Sequence, residues 1–470
     1  MKAGKRTDNC VELLASVLLA AVFVWGIAEA GYGLTQALGW RTSRHALYAM
    51  TGHFPNPGPF GGFIACVMAV AGAWLLRYRN KPGIVARIVN ILAWVALGAG
   101  LLVLPASMSR AGWLALAAAL AVEALRLPRV REWIRGHRWV VPAAAVVSVA
   151  LLVGAFLLKT ESALGRLHIW RMECLAIADR PWTGAGPGTA LWAYGEAQEA
   201  FFRENLEAVS PVVIRAAGSP EFAFNEFLGL GVEYGLPALL LALALVIATI
   251  VVLHRAESPF AAGVLAWSLF ACASYPLSVP QLKALGLGLV AVAILAGCFR
   301  VRKRTVGLLP LLFALLLAGW LGKQGAFAPS DRESYKNLYS RGYALHQAAR
   351  YEESTAVLEL GAKLSCDPMF EVILGKNAEA LGDDDRAEAL YEKAHYMVPA
   401  RLYPLVRQMR LQIRQGRNRE ALRTARRIVA MPVNDRHAGM VRLRRESMVT
   451  LDSLQTIVSV SDGREGIILR

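Results

Sequence analysis

Charged residues and cysteines are both scarce in this 470-residue sequence. Only 18% of the residues are charged, against roughly 25% in an ordinary soluble domain. The hydrophobic share of 56% excludes a disordered chain and argues against a soluble enzyme. The six cysteines form no CxxC pair and have no metal-like spacing. The cysteines therefore do not predict a metal site, and we expect no cofactor.

Long apolar runs fill the first 325 residues. A bilayer core requires about 20 helical residues, with a range of about 17 to 25, and several runs reach that length. The sequence predicts a polytopic transmembrane helix bundle of about nine spans in a domain over residues 1–325. The predicted spans are 12–37, 60–76, 84–105, 111–125, 140–158, 227–253, 260–276, 284–299 and 306–322.

The net charge of +16 is distributed unevenly between these spans. Connecting segments rich in arginine and lysine alternate with poorer ones, in register with nine spans. The positive-inside rule makes the rich segments cytoplasmic. A large loop at 159–226 and the chain after residue 323 then face outward. Nucleic acid is excluded as a partner, because the arginine clusters lie in short membrane loops.

The N-terminus has two interpretations. Basic residues precede an apolar stretch that ends at Ala28-Glu29-Ala30, as in a cleavable signal peptide. The apolar run is long for a signal peptide, so we expect an uncleaved first span. Residue 40 lies outside under either interpretation.

The last 140 residues are more charged, and their apolar residues recur with helical spacing. Small residues recur at intervals of 33 and 34 positions, at Ser354, Ala387 and Ala421. Tyr391 falls where tetratricopeptide repeats place a packing aromatic. The sequence predicts a soluble α-solenoid of about three tetratricopeptide-like repeats over 330–470, with a concave surface for a protein partner. The predicted fold class is therefore all-α.

Two polar motifs lie on the predicted outward side before the large loop. The segment Gly52-His53-Phe54-Pro55-Asn56-Pro57 is too rich in proline and glycine for a helix. It either lines a cavity or forms a rigid entry to the second span. The segment Ser109-Arg110-Ala111-Gly112 places an arginine at the start of a span. That arginine either faces a cavity or anchors the helix at the interface.

A third motif lies in the large loop, where Arg166, His168 and Arg171 precede a stretch containing Gly186 and Gly188. Guanidinium forks suit a diphosphate. Glycine-rich backbone can offer N–H groups to an anion. This stretch lacks the lysine of a P-loop, so a simple turn is the alternative.

The fourth motif, Asn225-Glu226-Phe227-Leu228, opens the sixth predicted span. Its carboxylate is either a general base or an ion-pair partner.

In order and placement, the four motifs resemble the O-antigen ligase/polymerase superfamily over roughly residues 30–300, and some members carry a tetratricopeptide tail. The resemblance implies a metal-independent, multi-pass glycosyltransferase of the bacterial inner membrane with its C-terminal domain in the periplasm. Such enzymes move a glycan from an undecaprenyl-diphosphate carrier to a glycan, lipid or protein acceptor. By motif position, Arg110, Arg166 and Arg171 would bind the diphosphate and stabilise it as it leaves.

The sequence departs from the family at the base that activates the acceptor. Ligases often carry a histidine immediately before the asparagine of the fourth motif, and Phe224 stands there. Chemistry alone leaves four candidate bases, namely Glu226, Glu221, His53 and His168. We expect Asn56, Asn225, Gly186 and Gly188, together with His53, to contact substrate.

Two other functions fit part of the sequence. One is a membrane-anchored tetratricopeptide scaffold for envelope assembly without catalysis, and the other is a protein O-oligosaccharyltransferase. Nine spans with cavity-type motifs exceed what an anchor requires. A transporter would usually show inverted repeats, which we do not find. The leading interpretation is therefore a lipid-linked glycan transferase.

Overall fold

A computed structural model describes residues 2–158, 160–327, 333–432 and 438–468. Within these ranges the chain is helical and has no β-strand, which confirms the all-α class. The helices are α1 Lys2–Ala37, α2 Pro57–Tyr78, α3 Ile84–Ala106, α4 Arg110–Leu125, α5 Pro128–Gly136, α6 Val140–Leu157, α7 Thr160–Asp179, α8 Ala190–Asn205, α9 Pro211–Ala216, α10 Glu226–Arg255, α11 Phe260–Ala271, α12 Pro280–Phe299, α13 Arg304–Gly307, α14 Leu309–Lys323, α15 Tyr335–Gln347, α16 Tyr351–Ala362, α17 Met369–Ala380, α18 Asp384–Met397, α19 Tyr403–Arg414, α20 Asn418–Ala430 and α21 Ala438–Ile468.

Six helical segments of the described chain are long and apolar enough to cross a membrane. A seventh results if α4 and α5, which meet at an angle of 87°, form one bent span. Two more apolar helices, Val140–Gly154 and Phe260–Ala271, are shorter. Helices therefore occupy all nine predicted runs, and the chain is a multi-pass membrane protein. The count of nine stays a prediction.

The chain divides into two compact units. The first contains residues 1–159, 224–230 and 237–323, and the second contains 160–223, 231–236 and 324–470. The sequence groups the loop 159–226 with the membrane domain. In the structure, the helices of this loop belong to the same compact unit as the tail.

Helix α2 forms the centre of the first unit. It is buried along nearly its whole length and packs against α1, α3, α4 and α11. Glycines allow this close approach. A Cβ atom on Gly62 would lie 2.3 Å from the ring of Phe270, and one on Gly72 would lie 2.5 Å from Leu120.

In the second unit, helices α15 to α20 form three successive pairs, each helix packed against the next, and α21 packs on the last pair. Small residues bring the paired helices together, as the sequence pattern predicts. A Cβ atom on Gly342 would lie 2.5 Å from Leu358, and one on Gly375 would lie 2.6 Å from the ring of Tyr391. Ala387 is fully buried in the same core. Assignment of these pairs to the tetratricopeptide class stays a prediction.

Candidate functional site

The first and second motifs meet in the first unit, where α2 and α4 begin. The hydroxyl of Ser109 donates a hydrogen bond of 3.0 Å to the carbonyl oxygen of Gly58. The two backbones can approach because both positions are glycine. A Cβ atom on Gly61 would lie 2.4 Å from Ser109 Cβ, and one on Gly112 would lie 2.9 Å from the Gly61 carbonyl oxygen. Arg110, the first residue of α4, is half-buried beside this contact.

Helices α10 and α12 begin in the same part of the first unit. The Glu226 carboxylate accepts a hydrogen bond of 2.6 Å from the amide of Leu277, just before α12. Gln281, in the first turn of α12, donates through Nε2 to the His53 carbonyl oxygen at 3.3 Å. These contacts link the starts of α2, α4, α10 and α12. Helix N-termini carry partial positive charge, and the Glu226 carboxylate lies at the start of α10.

Both asparagines of the predicted site act as helix N-caps. Asn56 Oδ1 accepts from the Gly58 amide at 3.2 Å, at the start of α2. Asn225 Oδ1 accepts from the amides of Phe227 and Leu228 at 3.1 and 3.2 Å, at the start of α10. This use of Asn satisfies amides that have no partner inside the helix. A contact of either asparagine with substrate stays a prediction.

His53 is paired with a carboxylate that the sequence reasoning did not select. Its Nδ1 lies 3.1 and 3.2 Å from the two carboxylate oxygens of Glu29 on α1, and its amide donates to the same carboxylate at 3.2 Å. The side chain of Glu29 is 7% exposed and that of His53 is 42% exposed. The ring of Tyr32 packs against the His53 imidazole at a tilt of 31°, with the ring centres 3.7 Å apart. A buried acid thus orients a partly exposed base.

A sequence signal for Glu29 exists. Glu29, Tyr32 and Gln36 are spaced at i, i+3 and i+7, which places them on one helix face. A carboxylate inside an apolar span is costly and by default indicates function. In the sequence, Glu29 also lies within Ala28-Glu29-Ala30, the pattern of a signal-peptide cleavage site.

The third motif lies in the second unit, on α7. Arg166 is half-buried, and the guanidinium of the exposed Arg171 lies 4.5 Å from the centre of the Phe201 ring. His168, between them, is buried, and its Nε2 lies 2.8 Å from Gln198 Oε1. Burial lowers the pKa of His168, with the nearby Arg171 as a lesser cause. His168 is therefore a neutral, buried link between α7 and α8.

The glycine-rich stretch after α7 packs against a break in α10. Gly235 has a φ of 79°, and the helix is interrupted there. The amide of Gly186 donates to the Glu233 carbonyl oxygen at 2.9 Å, and the amide of Leu236 donates to the Pro181 carbonyl oxygen at 2.7 Å. A Cβ atom on Gly184 would lie 2.4 Å from the Glu233 backbone. In this conformation the Gly186 amide is used within the protein, while a ligand contact at Gly188 stays a prediction.

The helices and motifs define a multi-pass membrane protein whose second unit is also helical. Residues 93–243, about a third of the chain, match the family model described as O-antigen ligase. The matched segment contains Arg110, Arg166, Arg171 and Glu226. This similarity supports a function of the membrane glycan ligase or polymerase type. A search of curated proteins found no match to the chain.

Proposed function

We propose that the protein is a glycosyltransferase of the bacterial inner membrane. It transfers a glycan from an undecaprenyl-diphosphate carrier to a hydroxyl of a glycan, lipid or protein acceptor on the periplasmic side. The observation that carries the proposal is the O-antigen ligase match, which contains all three arginines assigned to the diphosphate. The acceptor distinguishes a ligase, a polymerase and a protein O-oligosaccharyltransferase, and the proposal covers all three.

The arginines stabilise the charge that develops when the carrier leaves. Attack of an acceptor hydroxyl on the anomeric carbon transfers the bonding electron pair to the diphosphate. Fixed cations and helix N-termini placed at that charge lower the barrier. Arg110 begins α4, beside the linked helix starts of the first unit. Arg166 and Arg171 lie on α7 of the second unit. At Arg110, the hydrogen bond from Ser109 to the Gly58 carbonyl oxygen joins the start of α4 to that of α2 and so positions this cation in advance.

The tail supports this function structurally. Its helix pairs have the small-residue packing that suits tetratricopeptide repeats, and such stacks commonly bind protein partners. We propose that the tail is periplasmic, that it packs with the outward loop, and that it can bind a protein partner there.

The proposal is tested by transfer assays on the full-length protein. Arg110→Ala, Arg166→Ala and Arg171→Ala should each lower turnover of a lipid-linked glycan by about 100- to 1000-fold, the usual effect of removing one group that stabilises transition-state charge. Arg215→Ala is the matched control, because Arg215 is an exposed arginine of the same outward loop. In cells, the three variants should insert normally while surface glycan is lost. Normal glycan length and amount in all three would refute the proposal and favour the scaffold.

A further inference from the structure

The reaction requires a base for the acceptor hydroxyl, and Phe224 occupies the position where similar ligases often carry a histidine. In this protein Phe224 has a φ of 55°, and its ring packs edge-on against Tyr275 at 5.4 Å. A phenyl ring accepts no proton. If the proposed function holds, another residue must act as the base.

Three of the four candidate general bases are buried or already paired with another group of the protein. The Glu221 carboxylate forms an exposed ion pair with Lys336 at 2.8 Å. His168 is buried, and Gln198 accepts from its Nε2. Glu226 lies in the first turn of α10, where its Oε1 accepts the Leu277 amide at 2.6 Å.

His53 has the geometry of an activated base. We propose that His53, oriented by the buried carboxylate of Glu29, is the general base that activates the acceptor hydroxyl. Because Nδ1 faces the Glu29 carboxylate at 3.1 Å, Nδ1 carries the proton and Nε2 presents its lone pair. The His53 side chain is 42% exposed, so the ring is not enclosed by the protein. A carboxylate behind an imidazole also stabilises the imidazolium that forms during the reaction.

The loop that carries His53 is held rigidly. Gln36 on α1 accepts hydrogen bonds from the amides of Thr51 and Gly52 at 2.9 and 2.8 Å. Gly52 adopts a φ of +60°, and a Cβ atom there would lie 2.7 Å from the Phe60 ring. The His53 carbonyl oxygen accepts from Arg44 Nη1 at 2.8 Å. A base fixed in this way needs little reorganisation during the reaction.

The step balances without any further reactant. The acceptor O–H bond breaks, its proton moves to His53 Nε2, and the oxygen forms a bond to the anomeric carbon. The bond from that carbon to the phosphate oxygen breaks, and its electron pair leaves on undecaprenyl diphosphate. The imidazolium then releases its proton to water.

The test compares full-length His53 and Glu29 variants in the same transfer assay. His53→Ala should lower kcat by about 100-fold or more, the range for loss of a general base, with undecaprenyl diphosphate bound as tightly as before. Added imidazole should restore part of the turnover. Glu29→Gln, which keeps the hydrogen bond but removes the charge, should lower kcat to an intermediate value. His45→Ala is the matched control, since His45 lies in the same loop and its Nδ1 accepts the Leu47 amide.

The outcomes separate the two proposals. We call Glu29 and His53 together the dyad. If His53→Ala turns over as fast as the wild type while Arg110→Ala stays inactive, the role of the dyad is refuted and the proposed function stands. Lack of transfer by the wild-type protein would refute the proposed function and the dyad with it. His53→Gln covers the case in which the alanine variant does not fold. A folded glutamine variant with unchanged kcat would likewise overturn the dyad.

Discussion

The side-chain amide of Gln198 donates hydrogen bonds to the backbone carbonyl oxygens of Met397 and Gly218, so one residue of α8 connects the segment 160–223 to the tail. Gln198 is 1% exposed, and its oxygen accepts from Tyr194 at 2.5 Å and from His168 at 2.8 Å. The two carbonyl partners fix which end of the amide carries nitrogen. The His168 imidazole is therefore the donor in its contact. The tail thereby supports the helix on which Arg166 and Arg171 are carried.

The first prediction concerns Gln198→Glu. The carboxylate cannot donate to the two carbonyl oxygens, so a buried acceptor faces buried acceptors, which should destabilise the second unit by about 2 kcal/mol or more. Hydrogen exchange should rise in α7 and α8, and transfer should fall, because the loop loses its support. Gln347→Glu is the control, since Gln347 is exposed in the tail. Deletion of residues 335–468 should have a larger effect than Gln198→Glu. Full activity after that deletion would contradict the supporting role.

Local patterns predict much of this fold. The apolar runs form helices because a helix makes all of its backbone hydrogen bonds internally, which is required where water is excluded. The small residues Ser354, Ala387 and Ala421 are buried between paired helices, because small side chains let two helices approach closely. Asn56 and Asn225 begin helices, as a polar side chain before an apolar run indicates.

Long-range contacts could not be predicted in the same way. Gln198 and Met397 are 199 positions apart, and no periodicity connects them. The pairing of Glu29 with His53 depends on how the loop after α1 folds back onto that helix. A carboxylate in an apolar run, such as Glu29, predicts that some polar residue pairs with it. The sequence does not show which residue that is.

The second prediction concerns a buried ion-pair cluster where α2, α4 and α10 end. Glu123 is 1% exposed, and its Oε2 accepts a hydrogen bond from Arg77 Nε at 3.1 Å and lies 2.8 Å from Arg77 Nη2. Its Oε1 lies 3.7 Å from Arg126 and 3.5 Å from His254. Glu123→Gln removes the carboxylate that pairs with the buried Arg77, so it should lower the free energy of unfolding by roughly 3 kcal/mol. Thermal unfolding of the detergent-solubilised protein measures this loss.

Two further variants test whether the stability comes from the ion pair at Glu123. Glu132→Gln should change the melting temperature little, because Glu132 is exposed on the neighbouring helix α5. Arg77→Leu combined with Glu123→Leu should be less destabilising than Glu123→Leu alone, since an unpaired buried charge costs more than an apolar pair. Equal losses in the single and double variants would show that the ion pair is not the source of stability.

The third prediction concerns the pH dependence of the tail. His395 on α18 is fully buried, and within the described part of the chain neither ring nitrogen has a hydrogen-bond partner. Burial, with a smaller contribution from Arg427, lowers the pKa of His395 to about 3. In the unfolded chain the pKa is about 6.5, so between these values the unfolded state binds more protons. The free energy of unfolding is therefore unaffected by His395 above pH 6.5 and falls as the pH drops towards 3.

At pH 5 the loss from this one histidine should be about 2 kcal/mol. His395→Leu should flatten the fall in melting temperature between pH 7 and pH 5. His137→Gln, at an exposed histidine, should leave the wild-type curve unchanged. A His395→Leu curve that parallels the wild-type curve would assign the acid sensitivity to other groups.

The fourth prediction is that the mature protein retains its first span. Leu19 and Phe23 of α1 are buried in the first unit, and Glu29 and Gln36 hold the His53 loop. Cleavage after Ala30 would remove the carboxylate that orients His53 and would expose the apolar surface that α1 covers. Mass spectrometry of protein purified from membranes should therefore detect the residues that precede Ala30. A mass lacking the first 30 residues, in a preparation that still transfers glycan, would separate catalysis from Glu29 and require a different orienting group for His53.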